Sequence, residues 1–205
     1  MRRQIGSILV MLVLVGCGAS VVNKRDETGV PALGHVEAET PVARPSISAG
    51  RAEEELVSTI VMLKEREFRQ AEAHLEEIVK VRPDLVEAHF NLGWTRLNLG
   101  KCKESIVALQ DGLKLKPLEV SALNLLAICQ RMLGKFAEAE RIYQQALVAA
   151  PDNAKLHLNI GVLYDLYLFR PELALVHYRR YQALQNEPDA RVAGWIALIE
   201  RKEGK

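Results

Sequence analysis

Pro83, Pro117 and Pro151 stand 34 residues apart, and the same interval relates Gly93 to Ala127 to Gly161 and Phe68 to Cys102 to Phe136. Ala71, Ser105 and Ala139 follow it too. This is the period of a helix–turn–helix unit copied along the chain. One unit has an apolar face that it cannot bury alone, so neighbours must stack into a solenoid. The expected fold class is all-α. The composition agrees: 49% hydrophobic but only 5% aromatic, with many Ala and Leu.

The helical pattern begins at about Ala52. In the first helix of each unit a small residue recurs at Thr59, Gly93, Ala127 and Gly161, where paired helices must approach closely. The second helix carries Ala71, Ser105, Ala139 and Ala174. Four residues on come the larger Leu75, Leu109, Tyr143 and Tyr178, then Ile78, Gly112, Ala146 and Tyr181. Spacings of three and four keep these on one face. Ala174 falls one place late, which implies a one-residue insertion in the turn Leu168-Phe169-Arg170-Pro171. Pro83, Pro117 and Pro151 begin the turn into the next unit, where a missing N–H costs nothing. After Pro188, the apolar stripe Val192, Trp195, Ile196 and Ile199 reads as a capping helix within 189–205, with Trp195 packed into the core.

Asn91-Leu92-Gly93, Leu99-Gly100-Lys101 and Leu133-Gly134-Lys135-Phe136-Ala137-Glu138-Ala139 resemble the tetratricopeptide repeat (TPR) family. The resemblance covers about residues 52–188 and implies a right-handed solenoid of about four repeats, placed at 51–188. Repeat one departs from the pattern at Ser58-Thr59. The family's concave groove, carried over residue by residue, would be lined by Leu56, Ile60 and Leu63 with Glu53 and Lys64. Repeat two adds Phe90, Trp94, Leu97 and Asn98 with Glu87; repeat three Asn124, Ile128 and Arg131 with Ser121 and Met132; repeat four Leu158, Val162 and Asp165 with Lys155 and Leu166. So apolar a groove marks an interaction surface, and Phe90 and Trp94, four residues apart, form its expected centre. Family members that hold a peptide carboxylate do so with Lys and Asn where this chain has Leu56 and Ile60. A hydrophobic helix or extended segment is the better ligand.

The N-terminus reads as a targeting signal. Arg2 and Arg3 precede an apolar run, Ile8 to Val15, too short to span a bilayer. Leu14-Val15-Gly16-Cys17 then resembles the bacterial lipobox. That resemblance implies a signal peptide over 1–16, acylation of Cys17 and, from Gly18, export to the outer membrane. Residues 17–50 read as lipidated Cys and flexible linker, with scattered Pro31, Pro41 and Pro45 and no sustained helical period. As a coil, its roughly 33 residues would reach about 30 Å.

No catalytic constellation appears, and no cofactor, metal site or small-molecule substrate is expected. The formal net charge of +1 offers no concentrated basic surface for nucleic acid. His89 and His157 repeat by unit, as do His74 and His177 once the insertion is allowed, which argues for structural roles. Cys102 and Cys129 either pair in an oxidising compartment or serve as small buried hydrophobes. The whole pattern is similar to TPR lipoproteins of pilotin-like or envelope-scaffold type. The function implied is a membrane-anchored periplasmic scaffold for pilus, secretion or TonB-type systems. A periplasmic chaperone or an adaptor of peptidoglycan enzymes would use the same groove.

Overall fold

The computed structural model describes residues 42–202 and 204. The leader-like segment, Cys17, Gly18 and the linker up to residue 41 lie outside the described residues. Within them the chain is helical, with no strand. A short 3₁₀ turn, Ala49–Arg51, leads into α1 (Ala52–Lys64), α2 (Phe68–Val81), α3 (Val86–Asn98), α4 (Cys102–Leu115), α5 (Val120–Met132), α6 (Phe136–Ala149), α7 (Ala154–Leu166), α8 (Pro171–Ala183) and α9 (Ala190–Lys202). The helices pack as four pairs, and each second helix also touches the first helix of the next unit. In addition α3 touches α5 and α5 touches α7, which makes these three helices one continuous row.

The turn inside each pair shows why the pairs are regular. In repeats one to three the chain reverses in three residues, and a backbone N–H reaches five residues back: Glu67 to the Met62 carbonyl at 2.9 Å, Lys101 to Arg96 at 2.8 Å, Lys135 to Gln130 at 2.9 Å. Such a bond needs a left-handed residue just before it. Gly100 and Gly134 supply it at φ 75°, where a side chain would be strained. Repeat one uses Arg66 at φ 65°. Repeat four has a four-residue turn; Arg170 N–H reaches the Tyr164 carbonyl at 2.8 Å and Phe169 takes the left-handed place at φ 52°. The inserted residue therefore lies in this turn, as the late Ala174 implies.

The core is built from complementary sizes. A Cβ on Gly93 would stand 2.5 Å from the Leu109 side chain, and one on Gly161 would stand 2.6 Å from the Tyr178 ring. Thr59 and Ala127, the equivalents in the other repeats, are fully buried, as are Leu75 and Tyr143. Ala122, Leu123, Ala127, Ile142, Tyr143, Leu156, Leu163 and Tyr178 belong to one cluster that runs through repeats three and four to Val192 and Ile199 of α9.

Two expectations about the ends change. The last residues of the predicted linker are not free: Ile47 is buried in the cluster that holds Ala52, Leu56, Leu75 and Ile78, and Arg44 pairs with Glu76 at 3.0 Å. Trp195 is not a core residue. It remains 37% exposed and lays one side on the Tyr178 ring at 5.5 Å, because Val192 and Ile199 already fill the buried face of α9.

Candidate interaction groove

Along the row α3–α5–α7 lies an open cleft of about 620 Å³, lined by Phe90, Asn91 and Trp94 of α3, by Glu119 to Ala122, Asn124 and Leu125, and by Asn153 and Lys155 at the start of α7. Local packing sets its floor. Gly112 in α4 leaves a gap, and the Phe90 ring fills it; a Cβ on Gly112 would meet that ring at 2.5 Å. Phe90 is thereby half-buried, with its remaining face in the cleft. Trp94 meets Phe68, the first residue of α2, edge to face at 5.6 Å, which fixes the indole at the junction of repeats one and two. The polar walls are tied across repeats: Asn159 donates to the Asn124 side-chain carbonyl at 2.8 Å. At the cleft's lower edge, Lys116 and then the Ser121 hydroxyl hold Glu119 below the usual carboxylate range.

The structure brings Phe90, Trp94 and Asn124 together here, with Ser121 and Lys155. Other residues assigned to the groove go elsewhere. Leu56 and Leu63 are 8% and 5% exposed and sit in the core rather than on an open surface. Among the described residues no repeat precedes α1, and Leu56 shares a buried apolar cluster with Ile47 instead. Ile128, Leu158 and Val162 are half-buried and pack on the main cluster. Arg131 donates to the Tyr167 hydroxyl at 2.9 Å and lies over that ring at 5.1 Å. Asp165 accepts from the Tyr178 hydroxyl at 3.2 Å. Asn98 is exposed and bonds the Trp94 carbonyl of its own helix. Leu97 is half-buried, and Ile60 stays at the surface.

The open part of the groove is therefore more polar than the residue list suggests. Asn91, Leu125 and Asn153 line it and were absent from the sequence-derived set. A signal existed: Asn91-Leu92-Gly93 and Asn159-Ile160-Gly161 place the same Asn in repeats two and four, one residue beyond the position taken for the groove.

His89, His157 and His177 have structural partners. His89 Nε2 lies 2.9 Å from the Pro83 carbonyl and His157 Nε2 2.9 Å from the Pro151 carbonyl, the same bond in two repeats. A carbonyl can only accept, so Nε2 carries the proton and His157 Nδ1 accepts from His177 Nδ1 at 3.0 Å. Burial, and then the neighbouring His157, push His177 down to about 4. Among the described residues no three His, Cys, Asp or Glu side chains are grouped to hold a metal ion. No described helix is long and apolar enough to cross a membrane.

Residues 62–109 and 92–154 match the tetratricopeptide repeat family model, so the stretch 62–154 carries TPR repeats. The Phagocyte signaling-impaired protein of Drosophila pseudoobscura pseudoobscura is 28% identical over 96 residues, 47% of this chain and 10% of that protein. The chain thus spans about a tenth of the curated relative it matches. Among solved structures, MamA from Desulfovibrio magneticus RS-1 is 17% identical with a TM-score of 0.67, over 79% of this chain and 88% of that one. PilF of Pseudomonas aeruginosa is 18% identical with a TM-score of 0.66, over 76% and 70%. At such identities the likeness establishes the fold: an all-α TPR solenoid.

Proposed function

We propose that this chain is a protein-binding scaffold tethered to a membrane, and that its partner lies in the cleft along α3, α5 and α7. The observation that carries the reading is the cleft itself. Two aromatic rings are held half-exposed by Gly112 and Phe68, with Asn91 and Asn124 amides beside them. Rigid aromatic anchors next to amides suit a peptide segment that offers an apolar side chain and backbone hydrogen-bonding groups. Positioning of another protein is the use that suits such a cleft best.

The tether is Cys17. The run Leu14-Val15-Gly16-Cys17 behind an Arg-flanked apolar segment supports acylation there, and several acyl chains give stable anchoring. On this reading the solenoid faces the periplasm from the outer membrane and serves the assembly or operation of an envelope complex of pilus, secretion or TonB type. Cys17→Ser should leave an unprocessed precursor that takes up no labelled palmitate; continued labelling would remove the tether.

Trp94→Ala tests the groove. Affinity for a co-purified partner should fall about 30-fold, equivalent to about 2 kcal/mol, while the folded fraction keeps its helicity. Unchanged affinity in a folded variant would exclude this cleft as the docking surface. One stoichiometric partner supports a scaffold; a spread of weakly held unfolded clients would instead make the protein a chaperone.

A further inference from the structure

Cys102 and Cys129 take no part in the groove. Cys102 is the first residue of α4 and Cys129 lies in α5, so they belong to successive repeats. Both are buried free thiols. Cys129 Sγ donates to Ser105 Oγ at 3.3 Å, and Ser105 sits three residues after Cys102 on α4. Cys102 Sγ donates to Met132 Sδ at 3.6 Å, and Met132 sits three residues after Cys129 on α5. Residues three apart share a helix face. Each cysteine thus reaches the residue one turn beyond the other, a crossed arrangement that sets the two sulfurs side by side at the junction of repeats two and three. The same closeness shows in the protonation of Cys129. Burial pushes its thiol up to about 12, the Ser105 hydrogen bond pulls against this, and the neighbouring Cys102 adds to the rise.

We propose that Cys102 and Cys129 form a reversible disulfide cross-link between repeats two and three, made by thiol–disulfide exchange with a disulfide oxidant of the glutathione type. Cys102, the first residue of α4, loses its proton and attacks one sulfur of the oxidant. The oxidant's S–S bond breaks, and one thiolate leaves and takes up a proton. Cys129 then loses its proton, attacks the Cys102 sulfur of the mixed disulfide, and displaces the second thiolate. Two protein thiols are oxidised to one disulfide, and one oxidant disulfide is reduced to two thiols. The buried Cys129 makes the second step the slow one, faster at higher pH.

The cross-link closes a loop of about 27 residues, and constraining that loop in the unfolded chain stabilises the fold. It also pins α4 to α5. The cleft spans α3 and α5 across the same junction, so the redox state sets how far that junction can flex; this consequence rests on the groove reading, and the cross-link does not.

The test uses the full chain with Cys17→Ser, which leaves Cys102 and Cys129 as its two thiols. With oxidised glutathione at mildly alkaline pH, the monomer should lose two hydrogens, about 2 Da, and yield one peptide pair joined through both cysteines. The thermal midpoint should rise by roughly 5–10 °C and return with dithiothreitol. Adding Cys102→Ser should abolish both changes in a folded protein. A stable glutathione adduct on Cys102 as the end product, disulfide-linked dimers, or cross-linking only in denaturant would each overturn the proposal. No partner is needed, so the outcome is separate from whether the cleft binds protein.

Discussion

The two ends of the solenoid are finished differently. At the C-terminal end a whole helix does the work. α9 buries Val192 and Ile199 and carries Trp195 on Tyr178. It is clasped to α8 by the Gln182 side chain, which bonds both the N–H and the carbonyl of Asp189 at 2.8 and 2.7 Å. At the N-terminal end the described residues before α1 provide one 3₁₀ turn and one buried side chain, Ile47, while Val57, Ile60 and Val61 of α1 stay exposed. A repeat that borrows its neighbour's face to complete its core leaves an unmatched face at each end. Closing it takes a non-repeating element, and how much apolar surface that element carries decides how firmly the end is held.

The largest expected effect tests that contrast. Tyr178 is fully buried against Gly161 and under Trp195. Tyr178→Ala should cost about 3–5 kcal/mol, since the ring's volume cannot be recovered by backbone already fixed around a glycine. Ile47→Ala should cost about 2 kcal/mol, at the low end for its type, because a segment outside the helix pairs can collapse on the gap. Urea unfolding of the two variants measures the difference; equal losses would mean that the two ends are equally well closed.

A second test uses pH. In repeat four the paired positions hold His157 and His177; in repeat one they hold Glu55 and His74, 3.7 Å apart. His177 in the folded protein lies at about 4, below its ordinary value of 6.5. The unfolded chain therefore binds more protons between these values. The stability tied to this ring is complete above about 6.5 and is lost as pH falls toward 4. Thermal midpoints should drop over that window, and His177→Gln should flatten the slope. An identical pH profile for parent and His177→Gln would sink the assignment.

The smallest effect concerns the turns. Phe169 holds a left-handed conformation and is 79% exposed, so its ring contributes little packing. Phe169→Gly should relieve the strain and stabilise by about 1 kcal/mol. Arg66→Gly should gain less, because the Arg66 guanidinium also lies over the Phe68 ring at 5.7 Å. Midpoints that move downward in both would show that the turns are held by those side chains.

Much of this architecture is legible in the residues. The interval of 34 places every helix pair, and the small residues Gly93, Ala127 and Gly161 mark the close approaches that the packing confirms. The late Ala174 locates the inserted residue to within one turn. The groove is less legible. Leu56 and Phe90 occupy equivalent places, yet one is core and the other half-exposed, since Gly112 gives Phe90 a seat and Leu56 packs with Ile47. Arg131 and Asp165 also occupy equivalent places, yet each is claimed by a different tyrosine, Tyr167 from the turn of repeat four or Tyr178 from its second helix.

Sequence alone determined the repeat, its register and the all-α class, because helix period and turn geometry are local properties that recur with each copy. The tertiary structure decided which equivalent residues stay open to a partner, how each end closes and which thiols become neighbours. Those outcomes depend on what lies across the interface, and the interfaces differ from one repeat to the next even where the repeat positions are the same.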